Sequence, residues 1–233
     1  NSSSGSLNVE AGAVVSNTLG YIGHNSGSTG EVTVTGVNSL WDNSNTVYIG
    51  HEGDGTLNVE TGAVVSSGWG YISRHAGSTG TATVRGTGSR WNNSTDLDVG
   101  HSGNGTLLVE AGGAVSNLTA SIARFAGSTS QATVTGPGSC WNNSFSMYVG
   151  NSGDGSLNVE AGGVVSNTYG YIGYGSSSTG VATVSGPGSQ WNNSNSLQVG
   201  VNGNVVLNIA NGGLVTVGGT TSIGSAGMVN LTG

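Results

Sequence analysis

Apolar and polar residues alternate one by one through Leu7-Asn8-Val9-Glu10, and again through Val32-Thr33-Val34-Thr35. A period of two marks a strand with one buried face. Runs of this kind, separated by Gly, Ser and Asn, continue along the chain, and no stretch carries the apolar period of a helix. The runs themselves repeat. SLNVEAGAVVSN at 6–17 returns as TLNVETGAVVSS at 56–67, TLLVEAGGAVSN at 106–117 and SLNVEAGGVVSN at 156–167. Trp41, Trp91, Trp141 and Trp191 keep the same fifty-residue step. A fifth copy begins near Val201, with Ala210 in place of Glu and no Trp after it. Spacing without insertion or deletion means that each copy occupies an equivalent place in a stacked structure.

Each unit divides once more. GSLNVEAGAVVSNTLGYIGH at 5–24 aligns with GEVTVTGVNSLWDNSNTVYIGH at 30–51, and both read as three short strands with small-residue corners. A half-unit of about 25 residues with three strands is one turn of a β-solenoid. The predicted fold is therefore all-β: a right-handed parallel β-helix with three strands per coil, about nine coils, and two coils per fifty-residue repeat. Stacking at ~4.8 Å per strand makes a rod roughly 43 Å long. The whole of 1–233 forms a single domain, with repeats 1–50, 51–100, 101–150 and 151–200 and a partial one at 201–233. A propeller blade would need four hairpin-linked antiparallel strands, which the three-strand half-unit does not supply.

Alternation also assigns faces. Leu7, Val9, Val32 and Val34 point inward on the first strand, and Val15 and its one-coil equivalent Trp41 do so on the second. Small residues such as Ala13, Gly113 and Gly163 would leave room for the indoles. Asn17, Asn43, Asn93, Asn117, Asn143, Asn167 and Asn193, with Ser67 replacing one, form a column that suits a sharp left-handed corner and an amide ladder. Glu10, Glu60, Glu110 and Glu160 recur every second coil on the outside, with Arg85 between two of them.

Composition narrows the partners. Only 15 residues are charged, four Lys+Arg and eleven Asp+Glu, for a net charge of -7. All four cations are arginines, so a phosphate-binding surface and a nucleic-acid partner are not expected. No apolar run reaches the ~18 residues of a membrane span, so no membrane insertion is expected of this segment. The single Cys140 leaves no internal disulfide and no Cys-based zinc site. His24, His51 and His101 share a corner column with Arg74 and Arg124. Neighbouring guanidinium groups oppose a cation, so no metal and no cofactor is expected. Gly-Asp-Gly at 53–55 and 153–155 lacks the nine-residue period of calcium-binding repeats. No Gly-x-Ser-x-Gly elbow is present, and the exposed glutamates lie on a flat face rather than in a cleft. No catalytic residue is assigned, and the chain reads as something other than an enzyme.

One outward feature stands apart. Beside the inward Ile22, Ile49, Ile72, Val99, Ile122, Val149, Ile172 and Val199 run Tyr21, Tyr48, Tyr71, Tyr148 and Tyr171, interrupted by Asp98, Ser121 and Gln198. Trp69 and Tyr169 lie two residues earlier on the same face. Together Tyr21, Tyr48, Trp69, Tyr71, Tyr148, Tyr169 and Tyr171 form a candidate ligand-binding strip, because aromatic rows stack on sugar rings or pack on another protein. With Asp98 as its main charge, a neutral glycan or a surface protein is the expected partner. The competing reading is a stacked ladder that only stabilises the sheet.

The motif Gly-x-Gly-Ser-x-Trp-Asn-Asn-Ser, then Leu-x-Val-Gly, then Gly-x-Gly-x-Leu-x-Val-Glu is carried by GTGSRWNNSTDLDVGHSGNGTLLVEAGGAVS at 86–116 and in part by GPGSQWNNSNSLQVG at 186–200. It resembles the repeat shared by bacterial autotransporter (type V secretion) passengers and PEP-CTERM surface proteins. The resemblance covers essentially the whole chain. It implies a secreted or cell-surface rod, structural or adhesin-like, attached to the outer membrane through sequence not present here. End-to-end or lateral self-association goes with unpaired strands at the rod's ends. A polysaccharide-cleaving β-helix, lyase or hydrolase, is the alternative. Ice binding fails, because Thr33-Val34-Thr35 alternates with Asn8-Val9-Glu10 from coil to coil.

Overall fold

A computed structural model describes residues 3–233 as a parallel β-helix of about nine turns. The first run of each coil forms a ten-stranded parallel sheet, from Ser4–Val9 to Gly227–Thr232. Its register is regular: Val9 pairs with Val34, Val34 with Val59, and Val59 with Val84. The second and third runs share one fourteen-stranded sheet rather than two separate ones. They are single bent strands at Val14–Ile22, Leu40–Ile49, Val164–Ile172 and Gln190–Val199, and separate short strands in the middle of the rod. The expected third side is thus a bend in a continuous sheet. Its register shifts between Asn17 and Leu19 and between Asn167 and Tyr169, where the Trp-bearing coil carries one extra residue.

A fifty-residue sequence period on a twenty-five-residue structural turn follows from how the core fills. Coils with Trp41, Trp91, Trp141 or Trp191 place Val47, Leu97, Met147 or Leu197 on the third run, and Val32, Ala82, Ala132 or Ala182 on the first. The coils between them carry Val65, Val115 and Val165, small residues Gly70, Ala120 and Gly170, and Leu57, Leu107 and Leu157. Large residues in one coil lie over small ones in the next, which keeps the interior at solid-like density. All four indoles are buried. The room for them comes from the third run, not from Ala13, Gly113 and Gly163. A Cβ at Gly70 would lie 2.8 Å from both Trp91 Cζ2 and Leu97 Cδ1. Gly113 and Gly163 instead let a backbone carbonyl of the preceding coil approach.

The asparagine column is likewise not at a left-handed corner. The left-handed non-glycine residues include Ala11, Asn38, Thr61 and Ala111, none of them in the column. Asn43, Asn93, Asn117, Asn143, Asn167 and Asn193 are buried where the second run meets the bend. There they form relays rather than an unbroken ladder. Trp141 Nε1 donates to Asn117 Oδ1 (2.7 Å), Asn117 Nδ2 donates to Asn143 Oδ1 (2.7 Å), and Asn143 Nδ2 ends on the Ser166 carbonyl (3.2 Å). Trp191, Asn167 and Asn193 repeat the relay, as do Trp41, Asn17 and Asn43. For Trp91 the middle position is Ser67, whose hydroxyl accepts from the indole and donates to Asn93. No buried side-chain N or O atom among the described residues lacks a partner.

Candidate functional site

The third run and the corner after it carry the tyrosines, Trp69, the four histidines, Arg74 and Arg124. Tyr21, Tyr48 and Tyr71 stack one coil apart, with centroids 4.9 and 5.4 Å apart and planes within 11° of parallel. Tyr148 and Tyr171 form a second stack at 4.7 Å. Between the stacks lie Asp98 and Ser121, so the predicted single strip is two platforms about 14 Å apart, three strand spacings of ~4.8 Å. In register pairing Tyr71, Asp98, Ser121 and Tyr148 follow one another coil by coil. Stacking along the rod axis turns ring faces toward each other and leaves edges and hydroxyls outward. Trp69, 40% exposed, pairs with Thr46 and stands apart from the stacks. Tyr169 meets Phe145 edge to face at 5.3 Å.

The corner column of His24, His51, Arg74, His101 and Arg124 runs beside the tyrosines as the repeat spacing placed it, and continues through Asn151 and Tyr174. From His51 onward each continues the backbone ladder at the strand's end, as in Arg74 N to Gly50 O and Arg124 N to Gly100 O. His24 stacks on Tyr21 at 4.3 Å, His51 meets Tyr48 edge-on, and the Arg74 guanidinium lies 5.1 Å over Tyr71. Tyr174 closes the second stack against Tyr148 and Tyr171. Phe125, Phe145 and Tyr174 are exposed aromatics that the sequence reading left out.

Between the platforms the structure corrects two expectations. Asp98 does not face solvent: it is 1% exposed, with Arg124 Nη1 donating to both carboxylate oxygens at 3.0 and 3.2 Å. Charged groups also cluster here, whereas Asp98 was expected to be the main charge of this face. Arg74 Nη1 lies 2.8 Å from His101 Nδ1, and His101 Nε2 is 4.0 Å from Asp98. Burial pushes the Asp98 carboxyl up to about 6, although Arg124 opposes this. Burial, followed by the Arg74 and Arg124 charges, holds His101 down at about 4, so its contact with Asp98 near neutrality is to an uncharged ring. Arg124 offsets Asp98, which leaves Arg74 as the strip's uncompensated charge.

The other charged residues sit where alternation put them. Glu60, Arg85 and Glu110 follow one another in register, with Arg85 Nε 3.0 Å from Glu60. Exposed pairs of this kind contribute only ~0–1 kcal/mol. Asp54 and Asp154 accept hydrogen bonds from Thr79 and Thr179 one coil on. Further along the same corner as the tyrosines, His51, Glu52 and His75 each bring a ligand-type atom within 4.8 Å of the others. Burial lowers the basicity of His51, and the neighbouring His75 and His24 act in the same direction.

Comparisons with protein-family models, with curated proteins and with solved structures returned no match to this chain. The functional argument therefore rests on the geometry and on the repeat motif.

Proposed function

We propose that the chain is a length of an exported bacterial surface rod of the autotransporter-passenger or PEP-CTERM kind, structural or adhesin-like. In this reading the bent sheet contacts a glycan or a surface protein. The supporting observation is the pairing of a rigid, repeated core with a long face that carries most of the exposed rings. Because the tyrosines cover one another, contact with a sugar falls to Trp69, Phe145 and Tyr169, which lie outside the two stacks, and to the outward hydroxyls. Several weak contacts along a polymer then add through effective concentration. Arg74, with no carboxylate of its own, extends the expected ligands from neutral polysaccharides to those bearing carboxylates.

The test is retention of the chain on neutral and uronate-containing polysaccharides, beside a Trp69→Ala/Tyr169→Ala variant that melts like the wild type. Loss of retention in the variant is the expected result. Equal retention by both, or none by either, leaves a rod that only spaces and supports.

Polysaccharide cleavage is the second reading. Asp98, with its raised pKa, stands beside Arg124, His101 and Tyr71, which are the residue types of acid–base chemistry on sugars. Against it, both Asp98 oxygens are held by Arg124 and the carboxylate is sealed from solvent. New reducing ends or unsaturated products released by wild type, and abolished in Asp98→Asn, would favour this reading over the first.

A further inference from the structure

The corner following the third run brings two imidazoles and a carboxylate together from adjacent coils. His51 and Glu52 lie in the corner after Leu40–Ile49, and His75 lies in the corner after Trp69–Ile72. The backbone fixes their spacing: His75 N donates to the His51 carbonyl at 3.1 Å, and Glu52 N donates to the Gly23 carbonyl at 3.3 Å. The two rings are 4.8 Å apart and nearly perpendicular. One donor atom from each of His51, Glu52 and His75 falls within 4.8 Å of the other two.

The orientation of His51 is set as well. Its Nδ1 lies 3.3 Å from the His24 carbonyl oxygen. A carbonyl can only accept, so Nδ1 carries the proton and the lone pair is on Nε2. A backbone carbonyl that fixes the tautomer in this way is the usual outer partner of a metal-bound histidine. The objection drawn from the sequence, that arginines crowd this column, does not hold at this point. The Arg74 guanidinium is turned toward His101 and Tyr71, and the charges that act on His51 are those of His75, His24 and Glu52.

We propose that His51, Glu52 and His75 form a binding site for a borderline divalent cation such as zinc, with a fourth position open to water. Two nitrogens and one carboxylate are the ligand set of three-residue zinc sites, and two imidazoles disfavour calcium and magnesium. Ligand atoms around a tetrahedral zinc lie about 3.3 Å apart, given bond lengths near 2.0–2.1 Å. On binding, the three ligand atoms would close to that separation from within 4.8 Å of one another. The ion would clasp two coils together along the rod's edge. The site stands whether or not the aromatic face binds a glycan.

The experiment is calorimetric titration of the untagged chain with zinc and, separately, with calcium. It is repeated on His51→Gln, His75→Gln and, as a control outside the site, Glu160→Gln on the exposed side of the first run, each first checked for an unchanged strand spectrum. One zinc per chain and no calcium binding are expected. Removing a ligand should weaken binding by ~10-fold or more, since loss of an outer partner alone does as much. Glu160→Gln should bind as the wild type does. Zinc should also raise the melting temperature of the wild type and of Glu160→Gln but not of His51→Gln. No zinc binding, or binding that survives both ligand substitutions unchanged, overturns the site.

Discussion

An asparagine amide can accept one hydrogen bond and donate another in the same plane, and position 117 uses both. Its oxygen takes the Trp141 indole proton and its nitrogen passes a bond to Asn143. The column recurs because a buried indole needs an acceptor, and an unmade bond there would cost about 1–3 kcal/mol. Asp98 and His101 supply a second residue-scale consequence. Asp98 is raised from 3.8 to about 6, so its contribution to stability is full below about pH 4 and is lost as the pH rises through 6. His101 is lowered from 6.5 to about 4, so its contribution is full above 6.5 and is lost as the pH falls through 4. The two slopes oppose each other across the same window, with Arg124, Arg74 and Asp96 as the surrounding charges. Relative to wild type, Asp98→Asn should gain stability as the pH rises from 4 to 6.5. His101→Gln should lose stability from pH 4 to 6. Denaturant unfolding at several pH values reads both, and slopes of the same sign in the two variants would refute the pairing.

At the scale of the strand, the third run alternates small and large residues, and the small ones are sized to the coil that follows. Gly70 is followed by Leu97 and Trp91, and a Cβ there would lie 2.6 Å from Asn93 Oδ1 and 2.8 Å from both Leu97 Cδ1 and Trp91 Cζ2. The equivalent position in the next repeat is Ala120, and its following residue is Met147. An unbranched thioether yields where a branched Leu cannot. Gly70→Ala should therefore lower stability by ~1–3 kcal/mol, as overpacking does. Adding Leu97→Met should recover part of the loss. Equilibrium unfolding measures both, and an undiminished Gly70→Ala protein, or a double variant worse than the sum of its parts, would refute the packing argument. Alternation placed the inward positions of this run correctly, but it carries no information on which coil accommodates an indole. That is why Ala13, Gly113 and Gly163 were mistaken for the spacers.

For the whole molecule the true unit is two coils, one holding Trp and one holding Val with Gly or Ala. Deleting residues 60–109, fifty in all, joins Val59 to Glu110 and preserves the alternation. Deleting residues 60–84, half as many, joins Val59 to Arg85, removes Gly70, and sets the Trp91 coil directly on the Trp41 coil. The longer deletion should melt in one cooperative transition close to that of the full rod. The shorter deletion should melt lower or lose cooperativity, because two large coils then meet without the small one between them. Thermal unfolding followed by circular dichroism compares them, and a half-length deletion that melts as well as the full one would show that the coils are interchangeable.

Strand pattern, coil length, the burial of the four tryptophans and the parallel stacking all followed from periodicity, because a repeat without insertions admits only one way to stack. The same periodicity placed the tyrosines and the histidine column in register. It could not say that the second and third strands fuse, since that depends on how tightly the bend at Asn17 or Asn43 closes. Nor could it bury Asp98. Burial there comes from Arg124 reaching back over it from the next coil, a contact between residues 26 apart in the chain. Likewise the meeting of His75 with His51 depends on how two successive corners turn. Outward positions follow from a period of two, but what covers or joins them is decided between coils, where long side chains choose their direction only once the coils are stacked.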